Sequence, residues 1–146
     1  MKRELSAGCI DSHEVSEVRR LRLLILEHEV LARWGAAADL RALGHRVIEA
    51  HTVNEAIAVI ESGTPIDVVF CDSDIPGPFS GFDFEAWLSR NEPSIPVLVT
   101  SVDPSGVPPM PDRIARAFIA KPYSIAEVAG TLEILSRPTE KGPLRG

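Results

Sequence analysis

The chain has 146 residues, 45% of them hydrophobic, and a formal net charge of −6, which suits one globular domain able to bury its own core. The acidic balance argues against sequence-independent nucleic-acid binding, which needs clustered Lys and Arg. No apolar run is long enough to span a membrane, and Met1 to Arg20 lacks the apolar core of a signal peptide.

Residues 1–20 are polar and read as a mobile leader with a helical turn near Val15 to Arg20. Leu23 to Leu26 is a short continuous apolar run ending at Glu27, the pattern of a strand buried on both faces. Val30 to Leu43 follows as a helix, with apolar residues at Val30, Leu31, Trp34, Leu40 and Leu43 and a stop at Gly44. His45 to Ala50 is a second strand, and Thr52 to Ser62 a helix that Thr52 caps with Glu55 three residues on.

Ile66 to Cys71 is the third strand and runs into Asp72. Asp74 to Gly81 is a loop, Phe82 to Arg90 a helix, and Ile95 to Thr100 the fourth strand. Pro104, Pro108, Pro109 and Pro111 forbid a long helix in the next connection, so a fourth helix there is short or missing. Ala117 to Ala120 is the fifth strand. Ser124 with Glu127 opens a last helix running to about Ser136, with Val128, Leu132 and Leu135 as its core stripe. The domain therefore spans 21–137, and 138–146 is a flexible tail too short for an output module.

Strands alternating with helices through five units predict an α/β fold, a doubly wound five-stranded parallel sheet with flanking helices. Right-handed crossovers place the C-terminal strand ends along one edge, where such sheets bind ligands. Glu27 and His28 follow the first strand, Asp72 the third, Thr100 the fourth and Lys121 the fifth. An acid, a central aspartate, a hydroxyl and a lysine suit aspartyl-phosphate chemistry. The aspartate is the nucleophile. A cation held by neighbouring acids offsets charge repulsion, and Lys and Thr stabilise phosphoryl oxygens. Of the two cysteines, Cys9 lies in the leader and Cys71 in an apolar run, which fits reduced thiols in a cytoplasmic protein.

The segments LLILEHE (23–29), IDVVFCDSDIPG (66–77) with Gly81, IPVLVTS (95–101) and FIAKPYS (118–124) resemble, in order, the receiver domain of bacterial two-component response regulators. The resemblance covers 22 to about 136 and implies a flavodoxin-like sheet. It implies Asp72 as phosphoacceptor, Glu27 and His28 at the acidic-pair positions, and Asp74 as a metal ligand through its main-chain carbonyl. Thr100 and Phe118 fall at the switch positions, Lys121 at the active-site lysine, and Lys121-Pro122 at a normally cis bond.

The implied cofactor is Mg²⁺. His28 departs from the pattern, because Mg²⁺ prefers oxygen ligands and imidazole suits transition metals, so weaker Mg²⁺ binding or use of a softer divalent ion is expected. The implied function is a stand-alone, cytoplasmic signalling module rather than an enzyme. It would take phosphate from a histidine kinase or histidine phosphotransfer protein and then bind a downstream protein, as monomer or homodimer, with no nucleic-acid or membrane partner.

Two other readings compete. One is a pseudo-receiver, an interaction module that never carries phosphate. The other is a phosphatase of the haloacid-dehalogenase type, suggested by Asp72-Ser73-Asp74. That motif normally ends the first strand, and acids follow the late lysine in those enzymes, which is not so here. A flavin binder would need a phosphate loop after the first strand, and none follows. His13, His45 and His51 read as surface or local packing residues, and Cys71 as a small buried hydrophobe.

Overall fold

The computed structural model of the protein describes residues 19–106 and 115–137. The leader turn lies largely outside the described residues, as do the tail and 107–114 of the proline segment.

The elements are β1 (Arg22–Leu26), α1 (Val30–Ala42), β2 (Arg46–Ala50), α2 (Val53–Glu61), β3 (Val68–Asp72), α3 (Gly81–Asn91), β4 (Val97–Ser101), β5 (Arg116–Ala120) and α4 (Ile125–Leu135). A single 3₁₀ turn, Pro104–Gly106, is the described part of the proline-containing connection. All strand pairs are parallel and the sheet order is β2-β1-β3-β4-β5. This is the expected doubly wound, flavodoxin-like architecture, with the order reversing between β1 and β3.

Central strands β3 and β4 are buried at every position, which explains their unbroken apolar runs. Alternation along the strands feeds two cores. Leu24, Leu26, Val69, Cys71, Val97 and Val99 pack with α2 and α3, while Leu23, Ile25, Val68, Phe70, Leu98 and Ile119 pack with α1 and α4. The expected stripe of the last helix holds, with Val128 and Leu132 buried and Leu135 packed beside them. Cys71 is a free, buried thiol, and burial pushes its pKa well up.

Strand starts differ from the sequence reading. β3 begins at Val68, not Ile66, because the Asp67 carboxylate accepts from the Arg22 backbone N–H at 2.7 Å and from its guanidinium at 2.8 Å. β4 begins at Val97 rather than Ile95. Proline has no N–H to give a ladder, although the Pro96 carbonyl still accepts from Val69.

Helix α1 is also arranged otherwise than its large apolar residues suggest. The sheet buries Ala36, Ala37 and Leu40, whereas Val30, Leu31, Trp34 and Leu43 are exposed, Leu31 by 80%. Small residues on the inner face let the helix sit close to the strands. Helix α3 starts at Gly81, inside the expected loop, because Ser80 and Asp83 form a reciprocal capping box. At α2 the Thr52 hydroxyl accepts from Glu55 N–H as expected, but the Glu55 carboxylate turns to the His51 N–H.

His45 is buried and accepts the Leu21 N–H on Nδ1 at 3.0 Å, so the folded state needs its neutral form. Burial lowers its pKa, against a weaker upward pull from Glu133. A depressed folded pKa gives stability that is present above the unfolded value of about 6.5 and lost as pH falls through the folded value. Thermal melting should therefore fall between pH 8 and pH 5.5 in the wild type, and less so in His45→Gln. An equal loss in both would place the acid sensitivity elsewhere.

Candidate functional site

Side-chain alternation brings the expected residues together. Glu27, Asp72, Thr100 and Lys121 keep the parity of Ile25, Phe70, Leu98 and Ile119, and so emerge on the α1–α4 side of the sheet at its C-terminal edge. Asp72 and Thr100 are register partners on neighbouring strands. Phe118 has the opposite parity and packs against the α2–α3 core, so the two expected switch residues lie on opposite faces.

Asp72 is the centre. Its side chain is 1% exposed. Oδ1 accepts from Lys121 Nζ at 2.8 Å and from the Asp74 backbone N–H at 2.9 Å. Lys121 Nζ also lies 3.9 Å from Glu27 and 3.8 Å from Asp74. Burial alone would lower the lysine pKa. The bond to Asp72, with the charges of Asp72, Glu27 and Asp74, outweighs that and raises it, so the amine stays cationic. The Lys121-Pro122 bond is cis.

Glu27 is buried at the end of β1, and its Oε2 accepts from the Glu29 N–H at 3.1 Å. Burial raises its pKa. That backbone bond and Lys121 lower it, and the charge of Asp72 raises it again. His28 Nδ1 lies 3.5 Å from Glu27 Oε2 and 3.4 Å from Asp72 Oδ2. Both distances exceed a normal hydrogen bond. His28 Nδ1 and Asp72 Oδ2 are accordingly buried without a hydrogen-bonding partner.

An unpartnered carboxylate oxygen and ring nitrogen, converging with a second carboxylate, fit a divalent cation. Glu27, His28 and Asp72 are the residues that would hold it. Asp74 takes part in a way that sequence reasoning missed. Its carboxylate accepts from Ser101 Oγ at 3.3 Å and from the Val102 N–H at 3.1 Å, which ties the loop after β3 to the end of β4. Ser101 stood within the IPVLVTS segment, but its partner is distant in sequence. Tyr123 was also missed. It lines the same small cavity as Glu27, Asp72 and Thr100, with its ring edge-on to Phe70.

Gly81 matters for position. A Cβ there would fall 2.2 Å from the Asp72 carbonyl oxygen and 2.8 Å from Ser73 Cα, so the first turn of α3 rests directly on the backbone that carries Asp72. Among the described residues no helix is long and apolar enough to cross a membrane.

The response regulator receiver domain model matches residues 23–133. The transcriptional regulatory protein PhoP of Escherichia coli K12 is 27% identical over 119 residues, 80% of this chain and 52% of that protein. The virulence transcriptional regulatory protein PhoP of Shigella flexneri matches equally. The chain thus spans about half the length of the curated relatives it matches. Among solved structures, the Francisella response regulator 1452 receiver domain superposes with a TM-score of 0.71 at 19% identity, covering 80% of this chain and 97% of that one. The receiver domain of the hybrid histidine kinase CckA gives 0.66 at 27% identity, with coverages of 80% and 99%.

Proposed function

The chain belongs to the response regulator receiver domain family, and from that premise we propose that Asp72 accepts a phosphoryl group from a histidine kinase or histidine phosphotransfer protein. The observation that carries this reading is the 2.8 Å contact between Lys121 Nζ and Asp72 Oδ1, made by residues 49 apart in sequence.

The two carboxylate oxygens have different surroundings. Oδ2 faces Glu27 and His28, whereas Oδ1 has the donors of Lys121 and the Asp74 N–H. Oδ1 is therefore the attacking atom. It forms the new O–P bond as the P–N bond to the donor imidazole breaks, and the departing ring nitrogen takes a proton from solvent. Lys121 and the Asp74 N–H are then in reach of the transferred phosphoryl oxygens. A divalent cation, when bound, supplies positive charge against repulsion between the aspartate and the phosphoryl group.

Thr100 and Phe118 carry the response. A phosphoryl group on Asp72 biases the end of β4 through Thr100, its register partner, and Phe118 on the neighbouring strand passes the change to the α2–α3 side. The output is a changed affinity for a downstream protein. Incubation with acetyl phosphate and a divalent cation, followed by intact mass measurement, should show one added phosphoryl group on the wild type and none on Asp72→Ala.

One observation favours a second reading. His28 stands where the receiver pattern has a second acid, with its Nδ1 3.4 Å from Asp72 Oδ2, a departure that suits an interaction module that never carries phosphate. Wild-type protein left unmodified by every donor, with partner binding intact, would establish that reading instead.

A further inference from the structure

We propose that the pocket selects a first-row transition dication over Mg²⁺, with His28 Nδ1 as one ligand and carboxylate oxygens of Glu27 and Asp72 as the others. The inference rests on the same pocket as the phosphoacceptor reading, since Asp72 belongs to both.

Three observations converge on it. Firstly, His28 Nδ1 sits 3.4 Å from one carboxylate oxygen and 3.5 Å from another. Atoms bound to a common metal at about 2.1 Å and a near-tetrahedral angle are about 3.4 Å apart. Hydrogen-bonded N and O atoms sit closer, at about 2.7–3.2 Å. The spacing is too long for a direct hydrogen bond and has room for an ion held between the three groups.

Secondly, Asp72 Oδ2 is an unpartnered oxygen on a side chain that is 99% buried, and it faces this nitrogen. The nearby protein cations are committed elsewhere. Lys121 donates to Oδ1 of the same carboxylate. Arg33 donates to the Glu27 carbonyl and to Glu49. Among the described residues no side chain donates a hydrogen bond to Oδ2, and the only ring or amine set against it is His28 itself.

Thirdly, the donor set is chemically discriminating. Mg²⁺ takes oxygen ligands and gives up water reluctantly, so an imidazole in its inner shell is a poor exchange. Imidazole together with carboxylate suits Co²⁺, Ni²⁺ and Zn²⁺. The same His28 that weakens an all-oxygen site therefore builds a mixed nitrogen–oxygen one.

The test uses the full chain freed of metal by chelation. Titration with Co²⁺ should produce a saturable visible ligand-field band, and Mg²⁺ should displace the ion only weakly. Any site favours Co²⁺ somewhat, so the deciding quantity is the ratio of Co²⁺ to Mg²⁺ affinity. His28→Asp should lower that ratio by roughly tenfold or more, mainly by strengthening Mg²⁺ binding. His28→Gln, checked with the first variant by circular dichroism, should lose the band intensity even if His28→Asp misfolds. A ratio within twofold of wild type in the folded variants would overturn the inference.

Intact mass after acetyl phosphate treatment, run with each ion, separates the two claims. Phosphorylation of Asp72 with an unchanged ratio leaves the receiver standing and removes the metal selectivity. A His28-dependent Co²⁺ site on a chain that no donor modifies does the reverse.

Discussion

Lys121→Met should slow phosphoryl uptake from acetyl phosphate by about 10²–10³-fold, the usual cost of losing one donor to developing charge in a buried site. The same substitution should tighten divalent-cation binding. The two effects have opposite signs because Lys121 serves both as the stabiliser of the incoming oxygens and as the positive charge nearest Asp72, Glu27 and Asp74. Without it, three carboxylates face one another in a partly desolvated pocket, and a cation becomes the main remedy for their repulsion. The amine itself is held protonated by those carboxylates, so its contribution persists across the neutral range.

Uptake can be followed by intact mass against time, and cation affinity by titration of tryptophan fluorescence. A lysine with a merely structural role would weaken both together or neither. A variant that keeps its uptake rate would remove Lys121 from the chemistry.

Gly81→Ala should destabilise the domain by about 3 kcal/mol and lower its melting temperature by roughly 10 °C. Helix propensity predicts the opposite sign, since alanine inside a helix is favoured over glycine by up to about 1 kcal/mol. The contact decides the matter. The added Cβ would meet backbone atoms of Asp72 and Ser73, beginning with a carbonyl oxygen at 2.2 Å, and no rotamer change relieves a clash with main chain. Either α3 lifts away, uncovering Phe84 and Leu88, or the loop carrying the acceptor shifts.

Gly35→Ala in α1 is the control. It has open space around the new methyl group and should be neutral or stabilising. Thermal melts of both variants would show the contrast, and uptake by surviving Gly81→Ala protein should be slower as well. Equal stability of the two variants would mean that α3 tolerates displacement.

The resemblance of the chain to receivers was legible because the informative residues sit at strand ends in fixed order. Asp72, Thr100 and Lys121 each follow an apolar run, and parallel topology brings such ends to one edge without further information. Element boundaries were less legible. Ile66 and Asp67 look like strand, but Arg22 draws Asp67 out of it, and Arg22 lies 45 residues away. The expectation that Pro104, Pro108, Pro109 and Pro111 leave the fourth helix short or missing falls mostly on 107–114, outside the described residues.

Local pattern alone thus determined the strand–helix alternation, the parallel sheet and the placing of Asp72 at its C-terminal edge, because each depends on periodicity and order along the chain. Tertiary structure decided the rest: that Leu31 and Trp34 of α1 face outward, that Asp74 clasps Ser101 and Val102, that Gly81 has no room for a methyl group, and that His28 points its nitrogen at Asp72. These are distances between segments far apart in sequence. They follow from how closely two layers pack, which the composition of either layer does not encode.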